Sequence, residues 1–159
     1  MHKDSQGFQQ SCTLADLAAT DVLGARIAAS LAAGDAVALQ GDLGAGKTTL
    51  ARAILRALGV TEVVPSPTFT LVQAYESARL MVRHYDLYRV ADVSDMDELG
   101  LEEALDEGAA LIEWPEHAGS RLPADALRVE LTLDRRGRRA RISGPRRWAK
   151  AFDEMQHAG

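Results

Sequence analysis

The chain has 159 residues, 47% of them hydrophobic and 26% charged, which suits one globular domain and excludes wholesale disorder or coiled coil. Its one cysteine, Cys12, excludes an internal disulfide framework and a cysteine-ligated zinc site. No apolar run approaches the roughly 18–20 residues of a membrane span, and the first ten residues lack the apolar stretch of a secretory signal. We therefore expect a cytoplasmic protein without membrane attachment.

The charge is unevenly distributed along the chain. The net charge is −5, yet residues 135–150 contain eight Lys or Arg residues and no acid. A basic end on an acidic body is suited to docking against an acidic or polyanionic partner, although it can also be a solvated surface without a partner.

The first half of the chain alternates strand and helix signals. We predict a flexible tail over residues 1–10, a strand over residues 11–17, and a helix over residues 20–33 with Thr20 as its N-cap. Residues 36–40 form a short apolar run typical of a strand buried on both faces. The spacing of apolar residues then predicts a helix over residues 47–58.

The middle of the chain contains extended segments and one acidic helical stretch. Two prolines require residues 63–68 to be extended, and residues 69–75 and 80–85 are predicted to be paired strands. Residues 94–106 carry a helical pattern with a break near Gly100.

The last third of the chain completes the predicted sheet. Residues 108–115 form an apolar strand that ends at proline, and residues 127–133 and 138–142 form a hairpin. A C-terminal helix is predicted within residues 144–159. The whole chain is therefore predicted to be one three-layer α/β domain, similar to a P-loop NTPase, with a mixed, mainly parallel sheet.

One segment of the chain carries a complete phosphate-binding motif. Residues 41–48 match G-x-x-x-x-G-K-[ST] at every fixed position and lie between a predicted strand and a predicted helix. The glycines let several backbone N–H groups point inward, and the helix N-terminus adds partial positive charge. Lys47 would bridge the β- and γ-phosphates, and the Thr48 hydroxyl would bind Mg²⁺. The predicted nucleotide-binding residues here are Gly41, Gly44, Ala45, Gly46, Lys47, Thr48 and Thr49.

Two carboxylates end predicted strands. Glu113 follows the apolar run 109–112, an arrangement typical of the acid that serves magnesium in P-loop proteins. Asp86 ends another strand and could orient or deprotonate the attacking water, or hold Mg²⁺ through water. The alternatives are that Glu113 merely faces solvent and that Asp86 pairs with Arg89 at a turn.

Three further residues are candidates with weaker signals. Thr68 lies in Ser66-Pro67-Thr68-Phe69, about 20 residues after the phosphate-binding motif, where a hydroxyl could reach the γ-phosphate or the metal. A rigid turn is the alternative for this segment. Trp114 could pack over the site, anchor an interface, or be a core-edge residue. His84 is expected to be packed or hydrogen-bonded rather than a metal ligand, because no second histidine lies near it in sequence.

Four segments, taken together and in this order, resemble the TsaE family, small P-loop ATPases needed to make threonylcarbamoyladenosine beside the anticodon of tRNA. They are residues 41–49, residues 66–72, His84-Tyr85-Asp86-Leu87-Tyr88-Arg89 and Ile112-Glu113-Trp114-Pro115. The resemblance covers about residues 17–142. The phosphate-binding motif alone is generic, whereas the set of four is specific.

The resemblance implies a mixed-sheet P-loop fold and ATP with Mg²⁺ as the cofactors. It implies Thr48 and Glu113 as Mg²⁺ ligands and Thr68 as a switch-like sensor. The resemblance also implies that Asp86 is needed for hydrolysis. The catalytic candidates are therefore Lys47, Asp86 and Thr68. The resemblance also suggests that Arg138 meets the nucleotide.

The family also implies partners. Its members act with the TsaB–TsaD pair, in which TsaD performs the transfer and the TsaE ATPase resets the complex, so tRNA would be met indirectly. A weak, partner-regulated ATPase is therefore expected. Two other functions stay open: a small P-loop kinase, for which the arginines of residues 135–141 would imitate a lid, and a sensor that binds ATP without hydrolysing it.

Overall fold

The computed structural model of the chain describes residues 7–62, 64, 71–135 and 137–153. The strands of this part are β1 Phe8–Leu14, β2 Ala36–Gln40, β3 Val72–Glu76, β4 Met81–Asp86, β5 Gly108–Glu113, β6 Leu127–Asp134 and β7 Gly137–Gly144. The α-helices are α1 Leu17–Ser30, α2 Lys47–Ala57 and α3 Leu101–Glu107. The connections also include 3₁₀ helices at Val93–Leu99, Pro115–Arg121 and Arg146–Phe152.

All the described strands belong to one mixed sheet, in the order β1-β7-β6-β2-β5-β4-β3. The central pairs β6–β2, β2–β5 and β5–β4 are parallel. The outer pairs β1–β7, β7–β6 and β4–β3 are antiparallel. The predicted mixed α/β sheet is confirmed, and its parallel pairs occupy the centre, where strands are covered on both faces.

The alternation of side chains along β5 divides the core into two layers. Ala109 and Leu111 belong to the larger cluster, which α1 and α2 cover, whereas Ala110 and Ile112 belong to the cluster covered by α3 and its neighbours. Helical segments therefore lie on both faces of the sheet, which gives the three layers that the sequence predicted. Residues on the first face of β5 point toward α2 and the loop before it.

The first two elements each lie three residues earlier than the sequence predicted. The cap of α1 is Asp16, whose side chain accepts a hydrogen bond from the Ala19 N–H at 2.9 Å. Thr20, the predicted cap, is instead buried on the inner side of the helix. Aspartate caps at least as well as threonine, so the helix begins at the earlier site. Residues 8–10 consequently belong to β1 rather than to a flexible tail.

The C-terminal segment is a 3₁₀ helix, Arg146–Phe152, where an ordinary helix was predicted. Trp148 and Phe152 are buried, and the ring of Phe152 stacks on that of Phe8 with centroids 5.6 Å apart. This segment therefore closes the end of the core beside β1. The predicted break near Gly100 is confirmed, because a 3₁₀ helix ends there and α3 begins.

The fold assembles the carboxyl ends of the central strands at one edge of the sheet. Because β2, β4 and β5 are parallel, the loop after β2 and the last residues of β4 and β5 share that edge. In the ranges that the structure describes, no helix is both long enough and apolar enough to span a membrane.

Candidate functional site

The loop between β2 and α2 has the conformation that its glycines permit. Gly44 and Gly46 have φ angles of 83° and 108°, in the left-handed region that residues with a Cβ rarely adopt. A Cβ on Gly46 would also lie 2.8 Å from Nε of Arg138. Glycine at position 46 thus allows an arginine side chain to pass directly over the start of α2.

A cavity of about 260 Å³ opens at this loop. Its lining includes most of the predicted site residues: Gly44, Gly46, Lys47, Thr48, Thr49, Asp86, Glu113 and Arg138, together with Leu43 and Trp114. Two other predicted residues of the loop have different contacts. The Gly41 carbonyl oxygen accepts a hydrogen bond from Lys47, and Ala45 is buried in the core. Thr68 and its neighbours, residues 65–70, lie outside the described residues, so the predicted sensor stays a prediction.

The Lys47 ammonium is only 5% exposed and lies inside the loop. Its Nζ donates hydrogen bonds to the carbonyl oxygens of Gly41 at 2.6 Å and Asp42 at 3.0 Å. The centroid of the Trp114 ring is 4.1 Å from Nζ, within the range of a cation–π interaction. Burial lowers the pKa of Lys47, and nearby carboxylates, above all Glu113, oppose that shift. A cation is thereby held where the motif needs positive charge for phosphate.

Thr48 and Glu113 are in direct contact although 65 positions separate them in the sequence. The Thr48 hydroxyl donates to the Glu113 carboxylate, with Oγ1 lying 2.9 Å from Oε1 and 2.8 Å from Oε2. Glu113 is 3% exposed, which excludes the solvent-facing alternative. Because the hydroxyl hydrogen points to the carboxylate, the lone pairs of Oγ1 stay available to a cation.

The two oxygen ligands fit a magnesium ion that shares its coordination with phosphate. Within the described ranges there is no cluster of three or more His, Cys, Asp or Glu residues that could hold a metal without other ligands. Mg²⁺ usually binds one or two protein oxygens and completes its coordination with water and substrate phosphates. Thr48 and Glu113 would hold it here.

Asp86 lies beside Glu113, since the register of β4 and β5 pairs these two residues. It is 5% exposed, and its Oδ1 accepts a hydrogen bond from the Tyr88 N–H at 3.0 Å. The turn after β4 therefore fixes the carboxylate at the cavity wall. The structure places both predicted carboxylates at one site, while their separate roles stay predictions.

His84 is fully buried, and its Nε2 is 2.7 Å from Oε2 of Glu113. The prediction of a packed, hydrogen-bonded histidine is confirmed, but the sequence did not identify Glu113 as its partner. His84 lies two residues before Asp86 on β4, so the period-two alternation of a strand puts both on the face of the loop. This alternation was the signal in the sequence that could have placed His84 on the same face as Asp86.

Trp114 packs over the site, one of the alternatives that the sequence left open. Its backbone is in the left-handed region, with φ 60° and ψ 50°, which is uncommon for a residue other than glycine. This conformation turns the chain sharply after β5. The centroids of the Tyr88 and His117 rings lie 4.9 Å and 6.0 Å from that of Trp114. The aromatic rings form a wall beside Lys47.

Arg138 reaches the same cavity from β7. Its Nε is buried and has no hydrogen-bond partner among the residues that the structure describes. A buried donor without an acceptor costs free energy, so its presence beside the loop indicates a ligand oxygen. Together with the loop and the pair of oxygen ligands, this donor fits a nucleotide phosphate.

The other arginines of residues 135–150 do not form one patch with Arg138. Arg139 and Arg141 line a different concavity on the opposite face of the hairpin, because alternate residues of a strand point to opposite faces. Arg147 pairs with Asp35, a buried acid at the start of β2. The segment is therefore divided between a site, an exposed sheet face and a structural ion pair.

Comparison with known proteins gives a consistent result. The family model "Threonylcarbamoyl adenosine biosynthesis protein TsaE" matches residues 14–141. The chain is 41% identical over 97 residues to a protein of Bacillus subtilis, and 46% identical over 93 residues to one of Haemophilus influenzae. Both are named tRNA threonylcarbamoyladenosine biosynthesis protein TsaE. These matches cover 60% and 57% of the chain.

The matched segment spans 60% and 59% of the length of those two relatives. Among solved structures, the crystal structure of YdiB of Bacillus subtilis is similar with a TM-score of 0.78 and 27% sequence identity. That similarity covers 97% of this chain and 99% of the YdiB chain. The fold is therefore shared over nearly the whole of both chains.

Proposed function

The chain belongs to the TsaE family, and we propose that it binds and hydrolyses ATP to support the formation of threonylcarbamoyladenosine in tRNA. The observation that carries this proposal is the convergence of Lys47, Thr48 and Glu113 at one cavity, with the unpartnered Nε of Arg138 beside them. A tRNA-modification role would place the protein in the cytoplasm. We further propose that residues 1–159 form a single ATPase domain.

Each side chain has a role that its position supports. Lys47, Arg138 and the backbone N–H groups of residues 44–49 would bind the phosphates, because they supply positive charge and donors. Thr48 and Glu113 would hold Mg²⁺, which neutralises phosphate charge when bound. Asp86 would orient or deprotonate the attacking water, since it is fixed beside Glu113 at the cavity wall. Thr68 lies outside the described residues, and its proposed role as a sensor of the γ-phosphate rests on the family resemblance alone.

The position of Arg138 argues against a kinase lid. A lid would bring its arginines on a mobile segment that closes over the acceptor, whereas Arg138 belongs to a strand paired on both sides. The neighbouring Arg139 and Arg141 lie on the other face of the sheet. One rigidly held guanidinium beside the loop suits binding and hydrolysis of a nucleotide better than transfer to a metabolite.

The partners we propose are the TsaB and TsaD proteins, with tRNA contacted through them. The weak, partner-regulated activity that the family resemblance implies would then require one of these partners to set the rate of hydrolysis. Two exposed side chains at the mouth of the site, Leu43 at 70% and Tyr88 at 47% exposure, offer apolar area for such contacts.

Phosphate release from ATP tests the proposal. The release is measured with the protein alone and with purified TsaB–TsaD, in both cases without an acceptor, and threonylcarbamoyladenosine in tRNA is quantified in the same reconstituted reaction. We expect slow release alone, a changed rate with the partners, and multiple rounds of modification only when this protein is present.

The alternatives give different results in that assay. A sensor would bind ATP but release no phosphate in either condition. A kinase would form ADP only after a small acceptor molecule is added. Lys47→Ala should abolish release. Lys150→Ala is the matched control, because Lys150 is exposed and lines a concavity beside α1 rather than the cavity at the loop.

A further inference from the structure

His84 makes a contact that the proposed hydrolysis does not yet use. It is 0% exposed, and its Nε2 lies 2.7 Å from Oε2 of Glu113, the same oxygen that Thr48 contacts at 2.8 Å. A carboxylate only accepts hydrogen bonds, so the Nε2–H of His84 is the donor. Glu113 is thus held from two sides, by a hydroxyl from α2 and by an imidazole from β4.

The sheet makes this contact rigid. His84 is paired with Leu111 in the parallel register of β4 and β5, two residues before the pair Asp86 and Glu113. Each of these strands is paired on both sides and both side chains are buried, so the backbone positions of His84 and Glu113 are fixed. A carboxylate at the last residue of a strand would otherwise be free to choose among rotamers.

The other nitrogen of His84 supports a role beyond packing. Its Nδ1 is buried and has no hydrogen-bond partner among the described residues. Burying a polar atom unpaired is unfavourable, so an apolar side chain would suit a purely structural position better. Of the two ring nitrogens of His84, only Nε2 therefore has a hydrogen-bond partner among the described residues, and that partner is Glu113.

We propose that His84 is a positioning residue of the metal site: it orients the Glu113 carboxylate toward Thr48, so that the two oxygen ligands are arranged before Mg²⁺ and nucleotide bind. The inference rests on the proposed function. Groups that hydrogen-bond to a metal ligand commonly affect metal affinity by about 10- to 100-fold when removed. Because His84 is behind Glu113 and does not line the cavity, it acts only through that carboxylate.

Nucleotide affinity with and without magnesium tests the inference. The dissociation constant of a non-hydrolysable ATP analogue is measured by calorimetry, once with Mg²⁺ and once with a chelator, for the wild type, His84→Leu and His84→Gln. We expect His84→Leu to weaken binding about tenfold with Mg²⁺ and to leave binding in chelator unchanged. A glutamine amide nitrogen extends nearly as far as Nε2, so His84→Gln should recover most of the loss.

Two other outcomes contradict the inference. Equal weakening in Mg²⁺ and in chelator would show that His84 only supports the fold around the loop. Unchanged affinity in both conditions would show that Glu113 needs no positioning. If wild-type affinity itself is independent of Mg²⁺, the proposed function fails first, which separates the two failures.

A spectroscopic measurement avoids the risk that a buried variant does not fold. In ¹⁵N-labelled wild-type protein without nucleotide, the His84 ring should show a protonated Nε2 whose hydrogen resonates far downfield because it is hydrogen-bonded to a carboxylate. Glu113→Gln should shift this resonance, whereas Lys150→Ala, at an exposed residue that lines a different concavity, should leave it in place. A ring with an unprotonated Nε2 in the wild type would overturn the inference without any variant at position 84.

Discussion

Charged side chains are buried in one region of the sheet and exposed in another. At the carboxyl ends of β2, β4 and β5 and in the loop after β2, hereafter the site edge, four charged or polar side chains are at most 5% exposed. The buried polar or charged residues of the described ranges are Thr20, Asp35, Lys47, His84, Asp86 and Glu113, and the last four lie at the site edge. In β1, β6, β7 and the 3₁₀ helix Arg146–Phe152, hereafter the arginine half, the charges are numerous and mostly exposed.

Buried charged residues mark the candidate site of this molecule better than exposed ones do. Exposed arginines are hydrated and screened by salt, so each contributes little energy to the fold or to a ligand. A buried ionisable group needs partners, and those partners define a geometry. The densest positive charge in the sequence, residues 135–150, therefore indicates the site less well than four buried residues from three separate segments. Arg138 is the exception, because β7 carries it into the cavity.

Lys47→Ala is expected to have the largest effect on ATP binding of the variants considered. Removing the ammonium should weaken ATP binding by about a hundredfold, roughly 3 kcal/mol, because the proposed charge-assisted contacts to phosphate would be lost. Calorimetry gives the affinity, and circular dichroism checks that the fold is intact. Lys150→Ala, in the arginine half, should bind ATP as the wild type does. Normal binding by a folded Lys47→Ala protein would remove the site edge as the nucleotide site.

Asp86→Asn and Glu113→Gln should differ in kind, which sharpens the account of the site edge. Without its carboxylate, Asp86 can no longer serve the attacking water, so turnover should fall about a hundredfold while ATP affinity stays within twofold. Glu113→Gln should instead weaken binding about tenfold in Mg²⁺ and not in chelator. Steady-state hydrolysis and calorimetry separate the two effects. Wild-type turnover by Asp86→Asn would leave that residue with only its turn-forming role.

Arg138→Ala and Arg139→Ala compare neighbouring residues on opposite faces of β7. We expect the first to weaken ATP binding about tenfold, because one charged donor near the phosphates is lost. The second should leave ATP binding unchanged, since Arg139 lines the other face. Titration of both variants in parallel measures the difference. An equal loss from the two would show that the arginine half acts through its overall charge rather than through one placed side chain.

Arg147→Ala should have the smallest effect, on stability alone. Asp35 is 7% exposed and pairs with Arg147, whose own side chain is 49% exposed, so solvent screens much of the attraction. We expect a loss of about 1 kcal/mol in the free energy of unfolding, or about 2–4 °C in Tm. Arg146→Ala is the control and should change Tm little. If thermal unfolding shows no change in Tm for Arg147→Ala, Arg147 contributes no more to stability than the other surface arginines.

The sequence predicted the site edge better than it predicted the arginine half, for a physical reason. The phosphate-binding loop needs local glycines and a following helix, and the two carboxylates end apolar strands, so short segments contain all the signals. Parallel pairing then brings strand ends together, and Asp86 and Glu113 are neighbours in register. The contact of His84 with Glu113 follows from the same periodicity but requires the strand order, which no local pattern contains.

Some features that the sequence did not predict depend on partners that are far apart in the chain. Arg147 and Asp35 are 112 positions apart, and nothing near either residue indicates the other. The start of α1 was predicted from Thr20 as the cap, but Asp16 is the cap and Thr20 is buried on the inner side of the helix. The C-terminal segment became a 3₁₀ helix because burial of Trp148 and Phe152, rather than helix propensity, shapes it.

The pairing of β1 with β7 has a consequence for the order in which the protein folds. The first strand can be hydrogen-bonded only after the last strand has left the ribosome, since Leu14 is in register with Arg138. Contacts between such distant parts of a chain form slowly, because a large loop must close first. A nascent chain can therefore form the loop of residues 41–48 early but acquires Arg138 only after β7 has been synthesised. Nucleotide capture at full affinity would then coincide with completion of the sheet, and a nascent chain stalled before β7 would expose the unpaired edges of β1 and β6 to aggregation.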